Sequence, residues 1–254
     1  MRDIIKVKNL EYKVPNKVIF SNVNLEIPKN KFTCIIGPNG AGKSTLVKCL
    51  IGILKASSGL INIKDRNILE YKNRELSKII AYVPQQTNSN LDFTVEDIIM
   101  MGRMPYKSLF EEYNQQDKYK IDEMLKRFDL YDIKNQPVST LSGGEMQKLI
   151  IARAVVQETE VIVLDEPLSN LDIKYQIEIM EFLKIQKQQG KTVIIVIHDL
   201  NLASKYADII VLMNEGKIHQ IGSKEVILTE KNIKKVFKID VKINNTNGRI
   251  NIVI

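Results

Sequence analysis

The chain has 254 residues, 44% of them hydrophobic and 26% charged, with a formal net charge of +7. That length suits one large domain or two small ones around a sizeable core, and the composition is that of a soluble globular protein. No apolar run approaches the ~20 residues that cross a bilayer, two histidines argue against a multi-histidine metal site, and lysines scattered without a block make the basic balance a weak pointer to any anionic partner.

The opening stretch, MRDIIKVKNL, alternates and carries no long apolar segment of the secretory kind. Cys34 and Cys49 lie in apolar surroundings at a spacing that fits no metal motif, so the chain reads as cytosolic with both thiols in its core. Residues 3–13 and 18–27 read as two strands joined at VPNK, a turn around Pro15 and Asn16. KFTCIIG is a short buried strand, and GPNGAGKSTLVKCLIGIL is a glycine-rich turn running into a helix. GLINI and IIAYVPQQ are further short strands. Residues 94–101 and about 115–130 read as helices; in the second, Ile121, Met124, Leu125 and Phe128 share one face as a core stripe.

LSGGEMQKLIIARAVV starts another helix, with Ser142 as N-cap and Glu145 closing a capping box. VIVLDEP is a buried strand ending in two acids and a proline. DIKYQIEIMEFLKIQKQQG is a helix closed by Gly190. KTVIIVIHD is a strand, LNLASKYA a short helix, and DIIVLMNEGKIHQIG a hairpin turning at NEG. From residue 223 the tail reads as one or two short helices and a last hairpin at NNTNG, capping the sheet. Strands alternating with helices predict an α/β fold with a largely parallel sheet. The run from about 88 to 157 breaks that alternation and predicts a separate helical lobe.

Three groups of residues carry chemistry. Gly37, Pro38, Asn39, Gly40, Ala41, Gly42, Lys43 and Ser44 match the P-loop pattern in full, after a strand and before a helix. There the glycines let backbone amides wrap a phosphate chain at a helix N-terminus. Lys43 would reach the β- and γ-phosphates, Ser44 would bind Mg²⁺, and Thr45 would add an α-phosphate contact. Asp165 and Glu166 end a buried strand, where Asp165 suits Mg²⁺ and Glu166 suits polarising a water. His198 and Gln85 also end strands; at that edge His198 could donate to a γ-phosphate, but a lone histidine satisfied at a strand end is the commoner case, and a lone glutamine carries no signal by itself. The two glycines of LSGGE exceed what a simple cap needs, and their backbone freedom costs entropy.

In this order and at these intervals, the P-loop, VPQ, LSGGE, VIVLDEP, SNLD and IHD resemble the ATP-binding subunits of ABC transporters over nearly the whole chain. The resemblance implies a P-loop NTPase (RecA-like) core, an N-terminal antiparallel β subdomain and an inserted helical subdomain, in a single ATP-binding domain over 1–254. It implies ATP and Mg²⁺ as ligands and a head-to-tail homodimer. In that dimer Ser142, Gly143 and Gly144 close over the γ-phosphate held by the other copy, which explains bare amides at that helix mouth. By matching position Tyr12 stacks on adenine, Gln85 links Mg²⁺ to the helical lobe, Asp172 lies at the dimer interface, Glu166 is the catalytic glutamate and His198 the switch histidine.

FTVEDIIMMGRMPY, residues 93–106, followed by LFEEYNQQD, resembles the branch that imports ferric chelates (siderophore or haem) and cobalamin, with GR-x-P as the main cue on a segment facing the permease. The partners implied are integral-membrane permease subunits and an extracytoplasmic solute-binding protein, with no nucleic acid, at the cytoplasmic face of the membrane. Other importers or exporters stand as alternatives in the same class. Soluble ABC ATPases of DNA maintenance separate P-loop and signature by a long coiled coil, and no heptad array occurs here. Translation-associated ABC proteins carry two ATPase units, and P-loop kinases have no use for LSGGE or SNLD.

Overall fold

The computed structural model describes residues 3–85, 92–108, 111–169, 171–246 and 249–253. Its elements in chain order are β1 (Asp3–Val14), β2 (Lys17–Pro28), β3 (Phe32–Ile36), α1 (Lys43–Leu50), β4 (Ser58–Ile63), β5 (Arg66–Asn67), α2 (Asn73–Ser77) and β6 (Ile80–Val83). Then come α3 (Val95–Met101), α4 (Gln115–Arg127), α5 (Gly143–Val156), β7 (Val161–Asp165), α6 (Ile173–Gln188), β8 (Thr192–Val196) and α7 (Leu200–Tyr206). The last elements are β9 (Ile209–Asn214), β10 (Lys217–Gly222), α8 (Lys224–Ile227), α9 (Glu230–Phe237), β11 (Lys242–Thr246) and β12 (Arg249–Val253). Contacts divide them into two compact units, Met1–Tyr71 with Met180–Ile254, and Lys72–Ile179. Gln86, Leu109, Phe110 and Asn170, which fall within quoted motifs, and positions 247–248 of the last turn lie outside the described residues.

In the first unit β1 and β2 form a hairpin whose turn is set by Asn16 at φ 65°. β4 pairs antiparallel on the other side of β1, and β5 on β4. Alternation drives this sheet: Val23, Leu25 and Ile27 of β2 are buried while Asn24 and Glu26 face out. A second sheet has β3 parallel to both β8 and β9, with β10 returning antiparallel on β9. Every position of β3 and of β8 is buried, so FTCII and TVIIV read as continuous apolar runs. Cys34 and Cys49 are both buried, and burial pushes the Cys49 thiol up to about 11 and Cys34 higher still, so neither is a thiolate at neutral pH. In the tail, β11 and β12 make a two-stranded sheet of their own, and β12 packs on α7.

In the second unit β6 and β7 run parallel, accompanied by α2 to α5. α4 stops at Arg127, short of the expected 130, because Asp129 takes φ 56° and turns the chain out of helical conformation. Ile121, Leu125 and Phe128 of its apolar stripe are buried and Met124 is half-buried. α2 has no apolar periodicity; it is held at its start by the Glu75 carboxylate, which accepts from the Lys72 N–H at 2.9 Å.

Candidate functional site

β3 brings the chain to Ile36, and residues 37–45 turn it into α1. Gly40 and Gly42 hold φ of 78° and 93°, where a side chain is strained. Gly37, at φ 152°, is limited by room as well: a Cβ would stand 2.3 Å from the Met213 carbonyl oxygen on β9. The first-turn amides of α1 have no intrahelical acceptors, and the helix end adds partial positive charge, so the turn is a seat for an anion. Lys43 is only 4% exposed and donates from Nζ to the carbonyls of Gly37 at 2.9 Å and Pro38 at 3.0 Å. Its ammonium thus lies over the loop, in position to exchange those carbonyls for phosphate oxygens. Ser44 and Thr45 are half-buried beside it.

Two further residues of this unit gather around the loop. Tyr12 pairs with Phe20 across the hairpin, ring centroids 6.2 Å apart, and Phe20 Cδ1 lies 3.6 Å from where a Cβ on Gly42 would stand. Tyr12 is therefore one ring away from the P-loop. Ile35 pairs with Val196, and the Ile197 N–H donates to the Ile35 carbonyl at 3.3 Å. That register sets His198, exposed, level with Gly37 at the start of the loop.

In the second unit the register Val83↔Leu164 carries Gln85 level with Glu166, and Gln85 Nε2 donates to Glu166 Oε2 at 2.7 Å. Asp165 is 1% exposed and accepts from the Tyr82 hydroxyl at a long 3.5 Å. Burial raises the Tyr82 pKa and the Asp165 carboxylate raises it further, so the phenol stays protonated as a donor. Glu166 sits at φ 50°, a left-handed conformation that costs about 1 kcal/mol and turns the chain sharply at the strand end. Ser169 Oγ steadies that turn by donating to the Glu166 carbonyl at 3.2 Å.

The signature forms the N-terminus of α5. Ser142 Oγ accepts from the Glu145 N–H at 3.3 Å, and the Glu145 carboxylate accepts from the Ser142 N–H at 2.8 Å and its hydroxyl at 2.6 Å. These bonds hold the Glu145 carboxyl below the usual carboxylate range. Gly143 and Gly144 belong to the helix, and neither has a positive φ. They do not use the conformational freedom that the sequence suggests. Among the described residues Gly143 instead offers open space, with nothing within 4 Å of a Cβ, and Gly144 meets Leu171 Cδ2 at 3.7 Å. Leu171 thus rests on the signature helix, and Asp172, exposed, caps α6 by accepting from the Tyr175 N–H at 2.9 Å.

The structure therefore brings Tyr12, residues 37–45 and His198 together in one unit. In the other it pairs Gln85 with Glu166, next to Asp165, and sets Gly144 of the signature beside Leu171. The GR-x-P residues divide between the interior and the surface. Arg103 is 6% exposed and faces inward: Nε donates to Asp117 Oδ1 at 3.0 Å, and Nη1 to the Val156 carbonyl at 2.8 Å and to Glu158 at 3.0 Å. Lys107 Nζ lies 2.6 Å from the other Asp117 oxygen. Burial works to raise the Asp117 pKa, but the bonds from Lys107 and Arg103 outweigh it and hold the carboxyl down. Arg103 thus ties down the C-terminal end of the signature helix, while its neighbour Met104 is 59% exposed. No spacing in the sequence links residues 103, 117 and 158, so nothing there announces this cluster.

A family model described as ABC transporter matches residues 20–169, more than half of the chain. An ABC transporter ATP-binding protein of Methanocaldococcus jannaschii is 41% identical over 246 residues, 96% of this chain and 95% of that protein. The petrobactin import ATP-binding protein YclP of Bacillus subtilis is 36% identical over 247 residues, 97% of each chain. Among solved structures, a chain from one described as a metal-chelate type ABC transporter in an inward-facing conformation superposes with a TM-score of 0.83 at 28% identity, covering 99% of this chain and 96% of that one.

Proposed function

We propose that this chain, which belongs to the ABC transporter family as an ATP-binding, ATP-hydrolysing protein, powers import of an iron chelate through a separate membrane permease. The cargo reading rests on likeness across nearly the whole chain to a petrobactin import protein and to a metal-chelate type transporter. Those relatives favour a ferric siderophore over cobalamin. No helix among the described residues is long and apolar enough to cross a membrane. In this reading the path across belongs to the permease, the chain sits on its cytoplasmic face, and a solute-binding protein delivers cargo on the other side. The chain acts as one ATP-binding domain, with residues 88–157 as the lobe that meets the permease and 223–254 as its tail.

The observation that carries the mechanism is a pair of phosphate seats: a wrapped loop at α1 and an open helix mouth at α5. ATP lies in the first, its phosphates on the loop amides and Lys43, its α-phosphate at Thr45 and its adenine on Tyr12. The second, Ser142 with the amides of Gly143 and Gly144, covers the ATP of another copy. A two-fold, head-to-tail dimer with Asp172 at the interface satisfies both seats twice. Ser44 in one unit, and Asp165 and Gln85 in the other, carry hydroxyl, carboxylate and carboxamide oxygens, the hard donors that suit Mg²⁺. Bound Mg²⁺ would neutralise charge on the phosphates. Glu166 accepts the proton of the attacking water, and His198 donates to the γ-phosphate. Loss of that phosphate removes the bridge between copies, and the dimer opens.

Two measurements test this. Glu166→Gln slows hydrolysis by about 10²–10³-fold and leaves a stable ATP-bound dimer on size exclusion; normal turnover refutes the role of Glu166. A tagged chain recovered from detergent-solubilised native membranes brings down a polytopic membrane protein in stoichiometric yield, and the pair takes up a ferric siderophore. Recovery only from the soluble fraction with ribosomal or nucleic-acid partners overturns the transporter reading, and uptake of cobalamin alone reassigns the cargo.

A further inference from the structure

The tail hairpin is bonded to the protein at two helices: the Ile243 N–H of β11 donates to Glu230 of α9 at 3.1 Å, and β12 lies on α7, which begins two residues after His198. The Asn201 side chain grips a single residue of β12 with both its ends: Oδ1 accepts from the Ile252 N–H at 2.8 Å, and Nδ2 donates to the Ile252 carbonyl at 3.1 Å. This copies one rung of an antiparallel ladder, so a side chain closes the strand edge that another strand would otherwise fill. One turn further along α7, Ser204, 3% exposed, donates to the Ile250 carbonyl at 2.9 Å. Ile250 and Ile252 are themselves buried.

The same first turn of α7 is the far end of the bend that carries His198. Asp199 Oδ1 caps it, accepting from the N–H groups of Asn201 at 2.7 Å and Leu202 at 2.9 Å. The opposite end of α7 is held to the start of β3, where the Tyr206 ring meets Phe32 with centroids 6.4 Å apart. β3 then runs on to Gly37. His198 itself is exposed, so core packing does not fix it. Its backbone is set on one side by β8 and on the other by the first turn of α7, and that turn is held by the hairpin while the far end of α7 is held at β3.

We propose that Asn201 is a positioning residue for His198: by clamping Ile252 it makes the C-terminal hairpin the mount that holds the His198–Asp199 bend at the level of the P-loop. The hairpin is then part of the ATPase rather than a passive cover. This rests on His198 acting at the γ-phosphate as proposed above. A misplacement of ~1 Å in such a group costs up to about 10²-fold in rate, whereas ATP binding is carried by the P-loop.

The test is steady-state ATP hydrolysis by the full chain. In Asn201→Leu, which keeps the branching and number of heavy atoms and removes both bonds, kcat falls by about tenfold or more while KM for ATP stays within about twofold. In a His198→Ala background, Asn201→Leu causes no further loss, because the two act as one unit. Ser204→Ala removes the other anchor, away from His198, and lowers the melting temperature without changing kcat. If Asn201→Leu does not fold, Asn201→Asp, which keeps an acceptor for the Ile252 N–H and loses the donor, is put through the same measurements. A His198→Ala chain at the wild-type rate overturns the role of His198 and this inference with it. A slowed His198→Ala chain to which the Asn201 variant adds its full factor overturns the inference alone, as do an unchanged kcat in the Asn201 variant and equal losses of kcat from the Asn201 and Ser204 variants.

Discussion

Gly40 and Gly42 of the P-loop hold left-handed backbone angles and Gly37 is packed against the Met213 carbonyl, whereas Gly143 and Gly144 of the signature lie in ordinary helical conformation with open space or an apolar neighbour among the described residues. Both stretches offer a helix N-terminus to phosphate. In the P-loop the fold itself needs glycine: any side chain strains the turn or strikes β9. In the signature the fold does not need it, and the capping box of Ser142 and Glu145 would hold the helix start with alanine at either position. A glycine that the fold can do without, at an exposed helix mouth, points to something that arrives from outside. Substitutions at the two places should therefore separate stability from activity.

The largest effect is expected at Gly37. Gly37→Ala sets a methyl 2.3 Å from the Met213 carbonyl oxygen and displaces β3 from β9, costing about 3 kcal/mol and ATP binding with it. Gly40→Ala meets no atom within 4 Å and loses only about 1 kcal/mol, from its φ of 78°. Thermal unfolding with and without ATP distinguishes them. Equal losses would mean that room at Gly37 is not the constraint.

The P-loop was fully legible because its spacing, its preceding strand and its following helix are all local. The two buried parallel strands β3 and β8 were legible as unbroken apolar runs. What was hidden depends on residues distant in sequence. Arg103 stands in the sequence only as part of GR-x-P, and its partners Asp117, Val156 and Glu158 are distant along the chain. α2 is a charged pentapeptide with no apolar face to betray it. The conformation of the signature glycines was not legible: two in succession suggest backbone freedom, but both lie in ordinary helical conformation.

A smaller effect of opposite sign is expected at Gly143. Gly143→Ala removes backbone entropy from the unfolded chain at a helical position with nothing to strike, and raises stability by about 0.5–1 kcal/mol. The same methyl stands between the backbone and an incoming phosphate, so ATP-driven dimerisation weakens by about tenfold or more. Unfolding and sedimentation of the ATP-bound Glu166→Gln chain, with and without Gly143→Ala, report the two quantities. A variant that is both more stable and equally dimeric would show that the open space is incidental.

The smallest effect, and the one that isolates the cap from the phosphate seat, is the acid dependence of Glu145. Its pKa is lowered from an ordinary 4.5 in the folded chain by the Ser142 hydroxyl and N–H, which bind the charged form. A depressed folded pKa contributes stability that is complete above the unfolded value and lost as pH falls through the folded one. The cap should therefore loosen only in acid, and by under about 1 kcal/mol because it is partly exposed to solvent. Glu145→Gln keeps a side-chain acceptor for the Ser142 N–H and removes the titration, so its melting temperature should fall less than that of the wild type on acidification while the two differ little at neutral pH. Parallel curves would mean that the bonds from Ser142 do not favour the charged carboxylate, and that the helix start is held by the Ser142 hydroxyl alone.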